Sequence, residues 1–284
     1  MPLKPEVLTA QRADDEPCSY DERDCIQYAL SLGFGRDPSQ RDQLAYVYEN
    51  GPMRTIPTMA NRFLHCGFLK DSGWDYERLV HVGERLDLYR PLPPRADMLA
   101  NRRVTGYANL GKAVGALITV DTELRLAKDD TVLANVGRTL LARGDGSDGA
   151  VSGQAPQHHS LPRRDPDLTC DFQTPPNQAL IFRLVDSMNP MHVEWQAASR
   201  AGFSRPVLQG RCTYGIACHA ILETICDFDF TLITGMDVRF SAPVYPGDLI
   251  RTEMWQDGNE VSFRCRVPER DSIVIDNGKC TLAG

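Results

Sequence analysis

The stretch 210–222 constrains the fold more than any other part of the chain. Gly210 opens a run in which Cys212, Gly215, Ala217, Cys218 and Ala220 carry almost no side-chain bulk. A helix this thin can lie close against a sheet, because the distance of approach is set by the side chains at the contact. Ahead of it, Asp186-Ser187-Met188-Asn189-Pro190-Met191-His192 reads as a polar turn, since proline excludes the helical region for the residue before it. Residues 193–201 place apolar side chains at helical spacing and stop at Gly202. A helix beginning near Gly210 would aim its free N–H groups and positive dipole end at the polar turn. That is one way to build a site for a developing negative oxygen.

With 284 residues, 42% of them apolar, the chain can form one large domain or two modest ones. Its net charge of −7 and lack of a basic cluster argue against a nucleic-acid partner. No apolar run is long enough to cross a bilayer, and no signal-peptide pattern stands at Met1, so no membrane association is expected. The end Cys280-Thr281-Leu282-Ala283-Gly284 is not a Ser-Lys-Leu type of address, and a cytoplasmic location is the expectation. Nine scattered cysteines form no C-x-x-C pair, which argues against a disulfide framework or metal site. No Gly-rich phosphate loop is present.

Residues 1–19 read as a polar, irregular arm. An N-terminal domain over 20–143 is expected to open with a helix at 20–32, followed by a strand at 44–49. Strands at 85–90, 98–107, 113–126 and 131–142 complete it. Glycine and proline then accumulate, and 144–169 reads as a linker. A C-terminal domain over 170–284 should hold a strand at 179–184, the polar turn, the small-residue helix, and strands at 234–241, 248–256, 260–267 and 273–281. Asp257-Gly258-Asn259 is a hairpin turn between two of these. Pro91-Leu92-Pro93-Pro94 with Asp97 is echoed by Pro243-Val244-Tyr245-Pro246 with Asp248, each ahead of a series of long strands. Two copies of one helix-plus-antiparallel-sheet unit would produce that echo.

The stretch 182–213 resembles the (R)-specific 2-enoyl-CoA hydratases, the MaoC-like branch of the hot-dog fold. The matching residues are Phe182, Arg183, Leu184, Asn189, Pro190 and His192, then Ala201-Gly202-Phe203, Pro206, Gly210 and Cys212-Thr213. The first half resembles the N-terminal half of the two-domain hydratases through Tyr28-Ala29-Leu30, Tyr46-Val47-Tyr48-Glu49 and Leu88-Tyr89-Arg90-Pro91-Leu92-Pro93. The resemblance implies an α+β double hot-dog, two helix-plus-sheet units packed as a pseudo-dimer. The first unit would shape a substrate tunnel and the second would carry the site. It also implies a lyase that hydrates an enoyl thioester reversibly to an (R)-3-hydroxyacyl thioester. Coenzyme A would enter only as part of the substrate, with no separate cofactor, and a homodimer of such chains is compatible with the fold.

In that family the motif's Asp and His activate one water, its Asn orients the site, and the amide at the Gly210 position serves the oxyanion. By resemblance His192 is the acid–base group, Asn189 the orienting group and Gly210 the oxyanion donor. This chain departs from the motif at its center. Ser187 stands where the family has its aspartate, Asp186 stands one place earlier, and Gln209 replaces a histidine. Either Asp186 reaches His192 after a one-residue slip, or the base is lost and Ser187 holds a water or a substrate hydroxyl. His81, in His81-Val82-Gly83-Glu84, matches the family's His-Gly-Glu stretch with one extra residue. His81, Gln209 and Arg239 are candidate substrate contacts, Arg239 toward a coenzyme A phosphate, while His219 reads as a packed helix residue. The departures suggest a specialised, polyketide-like substrate. Two alternatives stay open: changed chemistry in the same pocket (isomerisation, cyclisation or dehydration of a substrate outside the coenzyme A thioesters), or a non-catalytic acyl-thioester-binding subunit.

Overall fold

A computed structural model describes residues 5–37, 39–69, 79–147, 152–153 and 155–284. The elements of the first half are α1 (Pro5–Thr9), β1 (Arg12–Tyr20), α2 (Glu22–Ser31), α3 (Leu44–Val47), β2 (Leu79–Leu88), β3 (Ala96–Asn109), β4 (Ala116–Leu126) and β5 (Val132–Ala142). A two-residue strand, β6 (Ser152–Gly153), follows. The second half comprises β7 (Leu168–Gln173), α4 (Gln178–Phe182), α5 (Trp195–Arg200), α6 (Gly210–Thr224), β8 (Ile233–Phe240), β9 (Leu249–Asp257), β10 (Glu260–Val267) and β11 (Ser272–Leu282).

The strands form one sheet in the order β1-β3-β4-β5-β2-β8-β11-β10-β9-β7, with β6 paired to β3. Read inward from either edge, each half runs first strand, third, fourth, fifth, second. Two units of the same connectivity therefore meet at β2 and β8, which pair antiparallel from Gly83 with Arg239 to Asp87 with Gly235. This is the double unit implied by the repeated proline motif.

Helix α2 starts where its chemistry dictates. Asp21 accepts hydrogen bonds from the amides of Arg23 and Asp24, and the Asp24 carboxylate accepts one from the Asp21 amide. Helix α6 is buried along every residue from Cys212 to Leu222. A Cβ built on Gly215 would stand 2.6 Å from a methyl of Leu32, so only glycine lets α6 approach the end of α2 this closely. On its other side Tyr214 donates to the Met236 carbonyl of β8 at 2.8 Å. The thin helix thus lies between the sheet and the first unit. At the matching place in the first half, a 3₁₀ stretch, Pro57–Phe63, touches β2, β5 and α6.

Four sequence expectations are corrected. The segment 1–19 is not irregular, because residues 12–20 form β1 against β3. That edge strand is polar, and a register shift between Ala13 and Glu16 holds Asp15 at φ +55°. Charges and a bulge are how edge strands avoid pairing with other chains. The expected linker 144–169 overlaps β7, the opposite edge strand, at Leu168 and Thr169, and its residues 148–151 and 154 lie outside the described residues. The expected strand at 44–49 is the short helix α3. Tyr46 is buried there and donates to the Phe228 carbonyl at 2.7 Å, while Leu44 and Tyr48 face solvent. The expected strand at 179–184 is α4, in which Ala179 and Phe182 are buried and Leu180 and Ile181 are exposed. A buried pair three residues apart is helical spacing, and a short apolar run does not reveal it in advance.

Candidate active site

A cavity of about 660 Å³ opens between the two units. Residues 79–82 of β2 line it from the first unit, and Asn189, His192, Gly210, Thr213 and Phe240 line it from the second. Val207, Leu208, Val244 and Val274 give it apolar walls, and the exposed Arg143 and Arg200 also border it.

Asn189 and Pro190 set the position of the histidine. The backbone of Asn189 is extended, as the following proline requires, and its side chain accepts a hydrogen bond from the Met191 amide at 3.1 Å. Pro190–His192 then makes one 3₁₀ turn that carries the His192 ring into the wall. Nδ1 of His192 lies 2.9 Å from the Val207 carbonyl. A carbonyl only accepts, so Nδ1 carries the hydrogen and Nε2 is left as a bare acceptor. Burial pushes this imidazole below its ordinary range, opposed by its bond to Val207, so the ring is neutral at pH 7. A neutral, oriented Nε2 in a cavity is a proton acceptor ready for use.

Gly210 begins α6 on the same cavity. A Cβ there would come within 3.3 Å of the Phe240 ring, so glycine keeps the first turn of the helix open. The amides of Cys212 and Thr213 return to the Gln209 carbonyl, while the Gly210 amide stands at the positive end of the helix dipole. Thr213, one turn further along, also lines the cavity. Its buried hydroxyl has no hydrogen-bond partner among the described residues.

The slipped carboxylate does not replace the missing base. Asp186 is buried outside the cavity lining and makes a close ion pair with Arg211. Arg211 also donates to the Leu64 carbonyl at 2.9 Å and lies 3.5 Å from Glu84. Burial raises the Asp186 carboxyl to about 7; the charge of Glu84 adds to that rise, and the guanidinium groups of Arg138 and Arg62 oppose it. Asp186 lies on the bend that follows α4, where Arg211 holds its carboxylate away from the cavity. Ser187 is half-buried, and its hydroxyl accepts from the Asn189 amide at 3.3 Å, so it supports the turn.

Gln209 and Arg239 are also placed away from the cavity. Gln209 is buried and donates to the Ala179 carbonyl at 3.1 Å. Arg239 is held on the sheet by Asn277 and Asp276, both at 2.8 Å, while its strand neighbor Phe240 faces the cavity. His81 does line the cavity, with its ring edge on Phe240 at a centroid distance of 4.8 Å. Sequence reading missed Thr213, Phe240 and Glu84. Thr213 could have been found, because it lies one helical turn from Gly210. Phe240 and Glu84 depend on how β2 and β8 meet, which has no local signal. Among the described residues, no group of three or more His, Cys, Asp or Glu is placed to hold a metal ion. No helix of the described residues is long and apolar enough to cross a membrane.

Comparison with known proteins agrees with this two-unit arrangement. A family model described as "MaoC like domain" matches residues 154–277, and one described as "MFE-2 hydratase 2 N-terminal domain" matches residues 18–144. The chain is 32% identical to enoyl-CoA hydratase ChsH3 of Mycobacterium tuberculosis, over 98% of both chains. It is also 32% identical to the peroxisomal enoyl-CoA hydratase 2 of Arabidopsis thaliana, over 95% of this chain and 93% of that one. The crystal structure of a MaoC-like dehydratase from Phytophthora capsici superposes with a TM-score of 0.87 at 24% identity, covering 99% of this chain and 98% of the other, and shows the fold.

Proposed function

Since this chain belongs to the MaoC-like hydratase and dehydratase family, in the two-unit hydratase 2 form with the double hot-dog fold, we propose that it hydrates an enoyl-CoA thioester reversibly to the (R)-3-hydroxyacyl thioester. The observation that carries this reading is the neutral His192, whose bare Nε2 shares one cavity with the Gly210 amide. In the hydration direction Nε2 takes a proton from water as the water oxygen bonds to C3. The C2–C3 π pair moves toward the thioester oxygen, which the Gly210 amide and the α6 dipole stabilise. The enolate then recovers that pair as C2 takes the proton back from His192. Each acid–base or oxyanion contribution of this kind is worth about 10²–10³-fold or more. Asn189 fixes the turn that places the histidine.

The replacement of the motif aspartate by Ser187 supports a specialised acyl group, polyketide-like in character, over bulk fatty-acid oxidation. The same replacement favors a second reading, in which the pocket is kept and His192 alone isomerises or dehydrates a substrate with an acidic proton. One experiment separates the two. Short, medium and branched enoyl-CoAs are offered to the protein, and the loss of thioester ultraviolet absorbance is followed with chiral analysis of the product. Hydration to the (R) product supports the first reading. No absorbance loss with any of them would remove it and leave the second.

A further inference from the structure

The hydration reading leaves one place on the attacking water unfilled. A water giving one hydrogen to His192 needs a second acceptor to fix its direction of attack, and Ser187 and Asp186 are both committed elsewhere. The part of the cavity wall that β2 contributes carries such an acceptor. β2 shifts register between His81 and Gly83, with His81 facing Leu140 and Gly83 facing Thr139, so Val82 is one residue extra. Bulges of this kind re-aim side chains. This one falls where His81-Val82-Gly83-Glu84 is a residue longer than the His-Gly-Glu stretch it resembles, and it brings both His81 and Val82 onto the cavity.

The His81 ring is held by its far nitrogen. Nε2 is hydrogen-bonded to the Gly83 carbonyl at 2.9 Å and also stands 2.6 Å from Oε2 of Glu84, a charge contact at an oxygen that has no hydrogen-bond partner among the described residues. Both are acceptors, so Nε2 carries the hydrogen and Nδ1 is left bare. Glu84 is itself fixed, with a fully buried side chain whose Oε1 accepts from the Asn61 amide at 2.9 Å and lies 3.5 Å from Arg211. Phe240 packs against the ring, with the centroids 4.8 Å apart. Two histidines from different units thus line one cavity, each with one nitrogen bonded into the protein and the other without a partner among the described residues.

We propose that His81 supplies the second acceptor for the attacking water, in the role left open by Ser187, and that Glu84 is its positioning residue. One hydrogen of the water passes to His192 Nε2 and on to C2. The other stays on the oxygen, held by His81 Nδ1, and ends as the hydroxyl hydrogen of the product. No oxidant or further reactant is needed. The proposal rests on the hydration reading above.

The test measures kcat and KM for hydration of an enoyl-CoA by the wild type, His192→Ala, His81→Phe, His81→Ala and the double variant His81→Ala with Ser187→Asp. Melting temperatures are measured alongside. His81→Phe keeps a ring against Phe240 but has no acceptor, so it remains informative if the alanine variant folds poorly. The expected result is a loss of kcat of about 10²-fold in both single His81 variants, with KM little changed. Added imidazole should restore part of the turnover of His81→Ala, and so should the aspartate of the double variant. A folded His81→Phe with kcat within threefold of wild type, while His192→Ala is inactive, would overturn the proposal and leave the hydration reading intact. A wild type that hydrates no enoyl-CoA would overturn both.

Discussion

Acid should unfold this protein in part through His219. Its ring sits in α6, 5% exposed, stacked on Phe34 at 3.9 Å, with Nδ1 3.0 Å from the Leu32 carbonyl. Burial pushes the imidazole down from 6.5 to about 4, although the bond to Leu32 works against that change. The native state therefore keeps a neutral ring, while the unfolded chain takes up a proton as the pH falls through 6.5. The stability this provides is intact above pH 6.5 and is lost progressively between 6.5 and about 4. At about 1.4 kcal/mol per pH unit, the interval from 6.5 down to pH 5 removes about 2 kcal/mol. Urea unfolding of wild type and His219→Gln at pH 7.5 and pH 5 measures it. Glutamine keeps a donor for Leu32, and the downward-shifted His192 is present in both proteins, so its share cancels. Wild type should lose about 2 kcal/mol more than the variant between the two pH values. Equal losses would refute the buried neutral ring.

Four further substitutions probe the site and its scaffold. Arg211→Met leaves the buried carboxylates of Asp186 and Glu84 without their guanidinium and should cost about 3–5 kcal/mol in chemical denaturation. Asp186→Asn should leave turnover nearly unchanged, because that side chain stands outside the cavity; a steady-state assay decides. Gly215→Ala forces a Cβ to within 2.6 Å of Leu32 and should cost about 1–3 kcal/mol, seen as a lower Tm. Thr213→Val removes a buried hydroxyl that has no partner among the described residues, so Tm should hold or rise while kcat/KM falls.

The sequence was most legible where local chemistry and tertiary packing agree. The hairpin strands β9, β10 and β11, the small-residue helix α6 and the turn ending in His192 each carry their own signal in alternation, residue size or proline placement. The paired-unit fold followed from one repeated proline motif and the family resemblance. The edge strands β1 and β7 were hidden because edge positions are polar by necessity, and polar strands read as arm or linker. α3 and α4 were hidden because four to six apolar residues do not fix a period. Within the site, His192 and Gly210 were readable as parts of one turn and one helix start. The fate of Asp186 was not, because Arg211 claims it from 25 residues away. The approach of His81 to Glu84 depended on a bulge that no local rule announces.

The central claim is that His192 does proton transfer in a thioester hydration. The most direct measurement compares wild type with His192→Ala on one enoyl-CoA that the wild type hydrates, following kcat by thioester absorbance and binding with the saturated acyl-CoA. The account predicts a loss of kcat of about 10²–10⁴-fold with binding unchanged. Turnover in His192→Ala equal to wild type would contradict it.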